Sequence, residues 1–343
     1  NKMLVFKFSQ KFTDFFFSFG LMFIGVFLLF FFSVIIENKK SDFLFPCSSP
    51  RQEVNFVSSS KDKFPDSRPA WPLPKNNNIF SATNTVEAVF VIDSQTDKEL
   101  FVKNSENVRP LASITKLMTV MVLLDLPINW SSTTQILDSD TDYFSHQIKV
   151  GEVYKMSDLW DLALISSANN AIKALVRNSG VTEEKFVQLM NVKAKDFGLS
   201  SMTFSEPTGL SSYNTGSAKD VAKLLKEALK SEKILKSLQK GQYYASPLNG
   251  GKPRLVYNTN WLLTDWMPNK FSAGAIVGKT GYINDSGYNF VVRLADNKNH
   301  QIIIAVMGAS NNEARFSQAR DLGEWIFKNY VWPDEEGYVE LIR

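Results

Sequence analysis

The sequence predicts an α+β domain that follows one apolar segment near the N-terminus. Residues 81–343 contain short β-rich runs near both ends and stretches with the helical spacing of apolar residues between them. This order favours one antiparallel sheet of about five strands, built from both ends of the domain and packed against a block of helices. Neither an internal repeat nor a glycine-rich phosphate loop occurs in the sequence.

The apolar segment covers residues 15–36, which carry no charged side chain. As a helix it would span about 33 Å, which is enough for the hydrocarbon core of a bilayer. No small-residue cleavage site follows it, and lysines both precede and follow it. We expect an uncleaved, single-pass anchor in the cell membrane, with residues 1–14 in the cytoplasm and the rest of the chain outside it.

Residues 37–80 differ in composition from the chain on either side. They are rich in Ser, Asn and Lys, they contain six of the 13 prolines, and they have little apolar periodicity. This composition predicts a disordered spacer between the anchor and a folded domain over residues 81–343.

The composition argues against several classes of function. The net charge of +3, without a basic stripe, argues against a nucleic-acid partner. Cys47 is the only cysteine, so no internal disulfide can form. With only two histidines, His146 and His300, a His/Cys metal cage cannot be assembled, and a Ser-His-Asp triad has few candidates. We therefore expect neither a metal nor a cofactor.

Two periodicities predict the elements of the folded domain. Short β-rich runs bounded by turn residues predict strands, and apolar residues three or four positions apart predict helices. Predicted strands cover residues 88–93, 99–104, 275–282, 287–295 and 301–309, and predicted helices cover residues 156–176, 184–197, 217–230 and 313–330.

A further helix is predicted where a polar loop runs into apolar sequence at residues 109–119. Pro110 suits a helix start, because its missing N–H costs nothing there. Ser113 then falls in the first turn, and Lys116 lies one turn later on the same face. The positive end of the helix dipole and the apolar surroundings should lower the pKa of Lys116. A serine beside a neutral lysine is a nucleophile beside its own base.

Two motifs downstream supply the other parts that such a nucleophile needs. Ser167-Ala-Asn169 lies in a polar break between two apolar helical runs, where polar side chains can face a cleft. Lys279-Thr-Gly281 lies on a predicted strand, in which Gly278 and Gly281 leave room for another chain or a ligand. The Ser-x-x-Lys spacing occurs three more times in the chain, but only Ser113 opens an apolar helix.

The three motifs, in this order, resemble those of the penicillin-interacting serine enzymes. The closest resemblance is to the serine-type D-alanyl-D-alanine carboxypeptidases of the S11 type, which are low-molecular-mass penicillin-binding proteins. It covers about residues 86–325. Three positions depart from the usual pattern, namely Ala168, Asn170 and Tyr282, where glycine, aspartate and histidine are common; none removes a catalytic group. Other matching segments are Ile92-Asp-Ser-Gln-Thr96, Met190-Asn-Val-Lys-Ala194, Thr208-Gly-Leu210, Ser217-Ala-Lys-Asp220 and Gly287-Tyr-Asn289.

The resemblance implies a β-lactamase/transpeptidase-like fold and an acyl-enzyme reaction on peptidoglycan peptides that end in D-Ala-D-Ala. β-Lactams would then be covalent inhibitors, and we expect a monomer. Many relatives carry a C-terminal β-rich domain and an amphipathic membrane helix, whereas here we expect the N-terminal segment to supply the tether.

The resemblance also assigns a role to each motif residue. Asp220 is expected to serve a helix end rather than the chemistry. The implied catalytic residues are Ser113 as acyl nucleophile, Lys116 as general base, Ser167 and Lys279 as proton relay, and the backbone N–H groups of Ser113 and Tyr282 as oxyanion hole. The implied substrate-binding residues are Asn169 for the peptide amide and Thr280, Gly281 and Arg315 at the carboxylate end.

Three alternatives remain open at the level of sequence. A D,D-endopeptidase would break the same bond in peptidoglycan cross-links. A class A-like β-lactamase shares all three motifs and needs a glutamate to activate water, for which Glu206 is the candidate, although Glu206 continues into the carboxypeptidase pattern Thr-Gly-Leu. A non-catalytic, membrane-tethered wall-binding protein with a relic site is disfavoured by the three intact motifs.

Overall fold

The computed structural model of the chain describes residues 70–80, 85–142 and 148–342. None of the helices in these ranges combines the length and the apolar character that a membrane span requires. The predicted anchor at residues 15–36 and most of the predicted spacer lie outside the described residues, as does His146.

The described elements follow the predicted order of strands, helices and strands again. The short strands are β1 (Leu73–Pro74), β4 (Arg109–Pro110), β5 (Thr133–Gln135), β6 (Val153–Lys155), β7 (Thr215–Gly216), β8 (Gln242–Ala245), β9 (Arg254–Tyr257) and β13 (Tyr330–Val331). The main strands are β2 (Ala88–Asp93), β3 (Glu99–Lys103), β10 (Val277–Ile283), β11 (Gly287–Ala295) and β12 (Gln301–Ala309). The α-helices are α1 (Thr115–Asp125), α2 (Met156–Ile165), α3 (Asn169–Arg177), α4 (Glu183–Asp196), α5 (Ala218–Ala228), α6 (Glu232–Leu238) and α7 (Asn312–Asn329).

A five-stranded antiparallel sheet forms the centre of the described domain, with the strand order β10-β11-β12-β2-β3. The prediction of one sheet from both ends of the domain is confirmed, since β12 pairs with β2 and places Val306 opposite Val89. β10 lies at one edge of the sheet. Because an edge strand has a row of backbone groups that its own sheet does not pair, β10 can present that side to other parts of the chain or to a ligand.

Both faces of the sheet are buried, because successive residues of its strands enter two different cores. Phe90 and Ile303 lie in the core shared with helices α1–α5. Their chain neighbours Val91 and Ile304 lie in a second core shared with α7. This alternation with a period of two residues is the packing that a strand between two helical layers requires.

The structure departs from the prediction at the start of the domain. Residues assigned to the disordered spacer pack on the domain, since β1 pairs with β13 and the backbone N–H of Lys75 donates to the carbonyl of Asn329. A two-residue strand among prolines has too short a pattern to be read from periodicity. The hairpin β8–β9 and helix α6 were likewise not predicted.

Asp220 has the structural role expected of it. The side chain of Ser217 caps α5 by accepting from the backbone N–H of Asp220. The Asp220 carboxylate accepts from the backbone N–H and the hydroxyl of Ser201. It therefore fixes the start of α5 to the preceding turn.

Candidate active site

The predicted nucleophile Ser113 lies in a tight turn just before helix α1. Residues Ala112–Ile114 form one 3-10 turn, and the α-helix begins at Thr115. The prediction that Pro110 starts the helix was wrong, because Pro110 lies in β4 and pairs with Thr215. Ala112 has a φ of 51°, a left-handed conformation that is rare for residues other than glycine. Such local strain is typical of functional sites and persists only when surrounding contacts hold it.

Lys116 lies beneath Ser113 as predicted. Its ammonium nitrogen Nζ donates to Ser113 Oγ at 2.8 Å, to Asn169 Oδ1 at 2.7 Å and to the carbonyl of Thr208 at 2.6 Å. Lys116 is fully buried, whereas Ser113 is only half-buried. The serine hydroxyl is therefore partly open to solvent, and the Lys116 amino group reaches it from the protein interior.

Burial lowers the pKa of Lys116 to about 7, against weaker contributions from Glu206 and Asp142 that raise it. Transfer of an ammonium group from water to an apolar interior disfavours its charged form. A pKa near neutrality allows a substantial fraction of neutral lysine at physiological pH, which is the form that can accept the serine proton. The prediction from the sequence is confirmed, with burial as the main cause.

Ser167 and Lys279 form a second hydroxyl–ammonium pair. Lys279 Nζ donates to Ser167 Oγ at 2.8 Å and to the carbonyl of Thr280 at 3.0 Å. Lys279 is buried, and its pKa lies well below the usual value because of burial and then of the charges of Lys116 and Arg315. The charge of Lys116 therefore contributes to the lowered pKa of Lys279, and the two hydroxyl–ammonium pairs belong to one site.

The polar break predicted around Ser167 is confirmed. Helix α2 ends at Ile165, and α3 begins at Asn169. Ser167 has a φ of 62° in the turn between them. The turn leaves the Ser167 side chain half-buried beside Lys279, while Asn169 points to Lys116. One short turn therefore connects the two lysines.

Strand β10 lies directly against residues 110–114, which carry Ser113 and form the nucleophile turn. A Cβ atom on Gly281 would lie 2.7 Å from the carbonyl oxygen of Leu111 and 3.1 Å from the backbone nitrogen of Ser113. The glycine is therefore needed for close approach of two backbones. At Gly278 the backbone that approaches closely belongs to the neighbouring strand β11, since a Cβ there would lie 2.4 Å from the carbonyl oxygen of Val291.

Asn289 of β11 attaches the sheet to the nucleophile turn. Its Nδ2 donates to the carbonyls of Pro110 at 2.9 Å and Leu111 at 3.2 Å, and its Oδ1 accepts from the backbone N–H of Gly308 at 2.9 Å. Asn289 is buried. The motif match at 287–289 gave no role to this asparagine, because the contact joins segments far apart in sequence.

Arg315 on α7 is buried behind β10 rather than on the surface. Its guanidinium donates to the carbonyls of Gly281 at 3.0 Å and Asn289 at 3.2 Å and to the side chain of Asn312. Burial lowers the pKa of Arg315 to about 9, so the group remains charged at neutral pH. Its positive field therefore acts from behind the strand that carries Thr280.

Thr280 makes a contact that the sequence did not suggest. Its hydroxyl oxygen lies 2.6 Å from the hydroxyl oxygen of Thr259. Thr259 also donates its backbone N–H to the carbonyl of Ile165, at the end of α2. No motif singled out Thr259, and only the tertiary arrangement brings it to the site.

Tyr282 follows Thr280 and Gly281 along β10. Its ring is 46% exposed and stacks on Tyr288 with centroids 4.2 Å apart. The assignment of its backbone N–H to an oxyanion hole remains a prediction, to which the closeness of Gly281 and the Ser113 nitrogen adds a geometric basis.

The segment after Glu206 forms a wall behind the nucleophile turn. Gly209 has a φ of 90°, and a Cβ on it would lie 2.0 Å from the carbonyl oxygen of Ala112. The Glu206 carboxylate accepts from the backbone N–H groups of Thr208 and Gly209 and from the side chain of Asn214. Both carboxylate oxygens are thus engaged in holding this loop, which does not fit the water-activating role that a β-lactamase would need.

The side chain of His300 makes structural contacts with residues that have no part in this site. Its ring nitrogens lie 2.8 Å from Asp296 Oδ2 and 3.0 Å from Asp334 Oδ1, and the ring stacks on Trp332. These contacts tie the turn after β11 to the C-terminal segment. Among the described residues, no group of three His, Cys, Asp or Glu side chains is arranged to hold a metal ion.

Comparison with known proteins gives consistent matches. A family model described as D-alanyl-D-alanine carboxypeptidase matches residues 76–311. The D-alanyl-D-alanine endopeptidase of Escherichia coli (strain K12) is 30% identical over 72% of this chain and 78% of its own length. The D-alanyl-D-alanine carboxypeptidase DacF of Bacillus subtilis (strain 168) is 31% identical over 71% of this chain and 62% of its own length.

A solved structure, the D-alanyl-D-alanine carboxypeptidase from Mycobacterium tuberculosis H37Rv, superposes with a TM-score of 0.66 and 24% identity. The match covers 76% of this chain and 97% of that structure. At this identity the likeness shows the fold, and it agrees with the antiparallel sheet and helical layers described above.

Proposed function

The chain belongs to the D-alanyl-D-alanine carboxypeptidase family of serine peptidases, and we propose that it removes the terminal D-alanine of peptidoglycan stem peptides through an acyl-enzyme on Ser113. The observation that carries this proposal is the pair of Ser113 and a buried Lys116 whose pKa is about 7. A neutral lysine at 2.8 Å from the hydroxyl oxygen is positioned as the base for nucleophilic attack.

Acylation follows from this arrangement. Lys116 takes the proton of Ser113 as Oγ attacks the carbonyl carbon between the two D-alanines. The backbone N–H groups of Ser113 and Tyr282 stabilise the oxyanion of the tetrahedral intermediate, and each such donor is worth about 100-fold to 1,000-fold in kcat. The C–N bond then breaks, the leaving amine takes a proton through Ser167 and Lys279, and water later hydrolyses the ester.

The substrate-binding roles are proposed from the surroundings of each side chain. Asn169 presents its amide beside the nucleophile while its Oδ1 is held by Lys116. The Thr280 hydroxyl, the Lys279 amino group and the buried positive charge of Arg315 make the β10 end of the cleft suitable for a carboxylate. Arg315 acts there through its field, since Nη1 donates to the carbonyls of Gly281 and Asn289 and Nη2 donates to the side chain of Asn312.

Cleavage of cross-links is the second candidate function. It is favoured by the similarity to the relative named D-alanyl-D-alanine endopeptidase, of which this chain covers 78%. Both reactions break an amide on the carboxyl side of a D-alanine, so the same catalytic groups serve either. They differ in the leaving group. A carboxypeptidase has to accept a single D-alanine, whereas an endopeptidase has to accept the second peptide of the cross-link.

A direct assay separates the two candidates. The full-length chain is incubated with a stem pentapeptide and with a cross-linked peptide dimer, and released D-alanine and monomeric peptide are quantified. We expect D-alanine release from the pentapeptide, and covalent labelling by a fluorescent penicillin that is lost in Ser113→Ala. Cleavage of the dimer alone would replace the carboxypeptidase assignment by the endopeptidase one, and absence of labelling and of both products would refute a catalytic function.

We also propose that the domain works outside the cytoplasm, anchored through residues 15–36, as a monomer. The charge-free apolar run and its flanking lysines support the anchor. In cells that express the full chain, we expect the domain to sediment with membranes and to be cleaved by protease added to spheroplasts. A full-length protein in the cytosolic fraction would contradict the anchor.

A further inference from the structure

The segment Asn258-Thr259-Asn260 is held rigidly between the helical block and strand β10. Asn258 and Asn260 are almost completely buried. Asn258 Nδ2 donates to the carbonyls of Leu238 and Lys240, and its Oδ1 accepts from the backbone N–H of Asn260 at 3.0 Å. Asn260 Oδ1 accepts from the backbone N–H of Leu262 at 3.1 Å. Hydrogen bonds of this kind from buried amide groups fix the backbone around them. Thr259, between them, is only half-buried.

Thr259 contacts two parts of the site, the end of helix α2 and strand β10. Its backbone N–H donates to the carbonyl of Ile165 at 3.1 Å, two residues before Ser167. Its hydroxyl oxygen lies 2.6 Å from that of Thr280, one residue after Lys279. The segment thus reaches from the Ser167 turn to β10, at the end where the buried side chains of Lys279 and Arg315 lie.

The number of protons on the two hydroxyls shows which of them donates in this hydrogen bond when a substrate anion is bound. Each hydroxyl has one proton to donate and can accept on its oxygen. One proton lies between the two oxygens, so when Thr280 donates to a bound anion, Thr259 must supply that proton. A hydroxyl that already accepts a hydrogen bond is polarised and donates more strongly.

We propose that Thr259 is a positioning residue for the carboxylate of the substrate: it donates its hydroxyl proton to Thr280 and so aims the Thr280 proton at that carboxylate. This inference rests on the proposed function for the identity of the substrate. It predicts that Thr259 affects binding of peptides with a free C-terminal carboxylate and acts through Thr280.

The test compares three variants of the full chain on a stem pentapeptide and on its C-terminal amide. Thr259→Val keeps the shape and removes the hydroxyl, and Thr259→Ser restores the hydroxyl. Thr264→Val is the matched control, because the Thr264 hydroxyl bonds the carbonyl of Asn260 within the same segment. We expect Thr259→Val to raise KM for the pentapeptide on the order of tenfold with kcat changed less than threefold. Thr264→Val should change KM less than twofold.

The amide substrate and a double mutant separate positioning from folding. For the amide, Thr259→Val and the unmodified chain should have the same kcat/KM, because the carboxylate is missing from both measurements. In a Thr280→Val background, Thr259→Val should have no further effect, since the residue acts through Thr280. Thr259→Ser should return KM for the pentapeptide to within about threefold of the unmodified chain.

Failure of this inference can be told apart from failure of the proposed function. If the unmodified chain releases no D-alanine, the acylation rate with benzylpenicillin, which also carries a carboxylate, replaces the peptide readout. A Thr259→Val variant with unchanged KM and unchanged acylation rate would overturn the inference. So would an equal loss on the amide and the acid, or an undiminished loss in the Thr280→Val background.

Discussion

Lys116 illustrates at the scale of one residue how burial can bring the pKa of an ammonium group to about 7. Its neighbours supply hydrogen-bond acceptors, namely the hydroxyl of Ser113, the amide oxygen of Asn169 and the carbonyl of Thr208. These acceptors keep the nitrogen in place but do not restore the hydration that the charge loses. The spacing of Ser113 and Lys116 at the start of an apolar helix predicted the pair, because residues three apart on a helical turn lie on one face.

The lowered pKa of Lys116 leads to a prediction for the pH dependence of acylation. Only the neutral lysine accepts the serine proton, so the rate should rise as the pH increases through about 7 and then level off. Stopped-flow measurement of benzylpenicillin acylation between pH 5 and 9 gives this profile. The same shift makes the contribution of Lys116 to folding stability rise with pH above about 7, since the unfolded chain retains a proton that the folded chain releases.

Lys116→Arg provides the control for this profile. An arginine remains charged at neutral pH even where burial lowers its pKa, as at Arg315, so it cannot act as the base there. We expect acylation to fall by about 100-fold to 10,000-fold, the usual contribution of a general base. An arginine variant that acylates at the normal rate, or a profile that is flat through pH 7, would mean that another group takes the proton.

At the scale of elements, sequence predicted which segments carry the chemistry but not how they meet. The glycines of β10 were both expected to make room for a ligand or another chain. In the structure, Gly281 faces the backbone of the nucleophile turn, whereas Gly278 faces β11 within the sheet. Register and strand neighbours decide this difference, and a single sequence does not contain them.

The contact of Gly281 predicts a specific effect of adding one methyl group. Gly281→Ala would place a Cβ 2.7 Å from the carbonyl oxygen of Leu111, so β10 and the nucleophile turn must separate. A displacement of about 1 Å can cost 100-fold in rate, and we expect a loss of acylation of about that size. The measurement is the rate of covalent labelling by a fluorescent penicillin, together with the thermal midpoint.

Gly241→Ala is the matched variant, because a Cβ on Gly241 would have no described heavy atom within 4 Å apart from the glycine and its two chain neighbours. It should leave the acylation rate within about twofold and the thermal midpoint close to that of the unmodified chain. If Gly281→Ala acylates as fast as Gly241→Ala, then the close approach of β10 and the turn does not matter for the chemistry.

At the scale of the molecule, the sequence was sufficient to predict one antiparallel sheet built from both ends of the domain. The long strands β11 and β12 occur with the predicted bounds, because their apolar runs end at clear turn residues. Short elements such as β1, β8 and β9 could not be predicted, since two to four residues hold too little periodicity. Thr259 and Asn289 were missed as parts of the site for another reason, namely that their partners are distant in sequence.

Asn289 hydrogen-bonds to backbone groups from two segments that are far apart in sequence. Its replacement should therefore lower both the stability of the domain and its rate of acylation. Asn289 joins the backbone of Pro110 and Leu111, near the start of the domain, to Gly308 near its end. Asn289→Leu has a similar size but leaves buried backbone groups without partners, each of which costs about 1–3 kcal/mol. We expect the free energy of unfolding in urea to fall by about 2–4 kcal/mol and acylation to slow in the variant that remains folded.

The exposed turn residue Asn297 provides the control variant. It shows whether the loss of stability comes from the hydrogen bonds of Asn289 or from the change of asparagine to leucine itself. Asn297→Leu makes the same chemical change at the surface, so it should alter the free energy of unfolding by less than about 0.5 kcal/mol. If Asn289→Leu were as stable as Asn297→Leu and acylated normally, the nucleophile turn would have to be held by β10 and the Gly209 loop without the asparagine. If Asn289→Leu loses acylation at urea concentrations well below its unfolding midpoint, then the position of Ser113 depends on the contact between the nucleophile turn and the sheet that Asn289 makes.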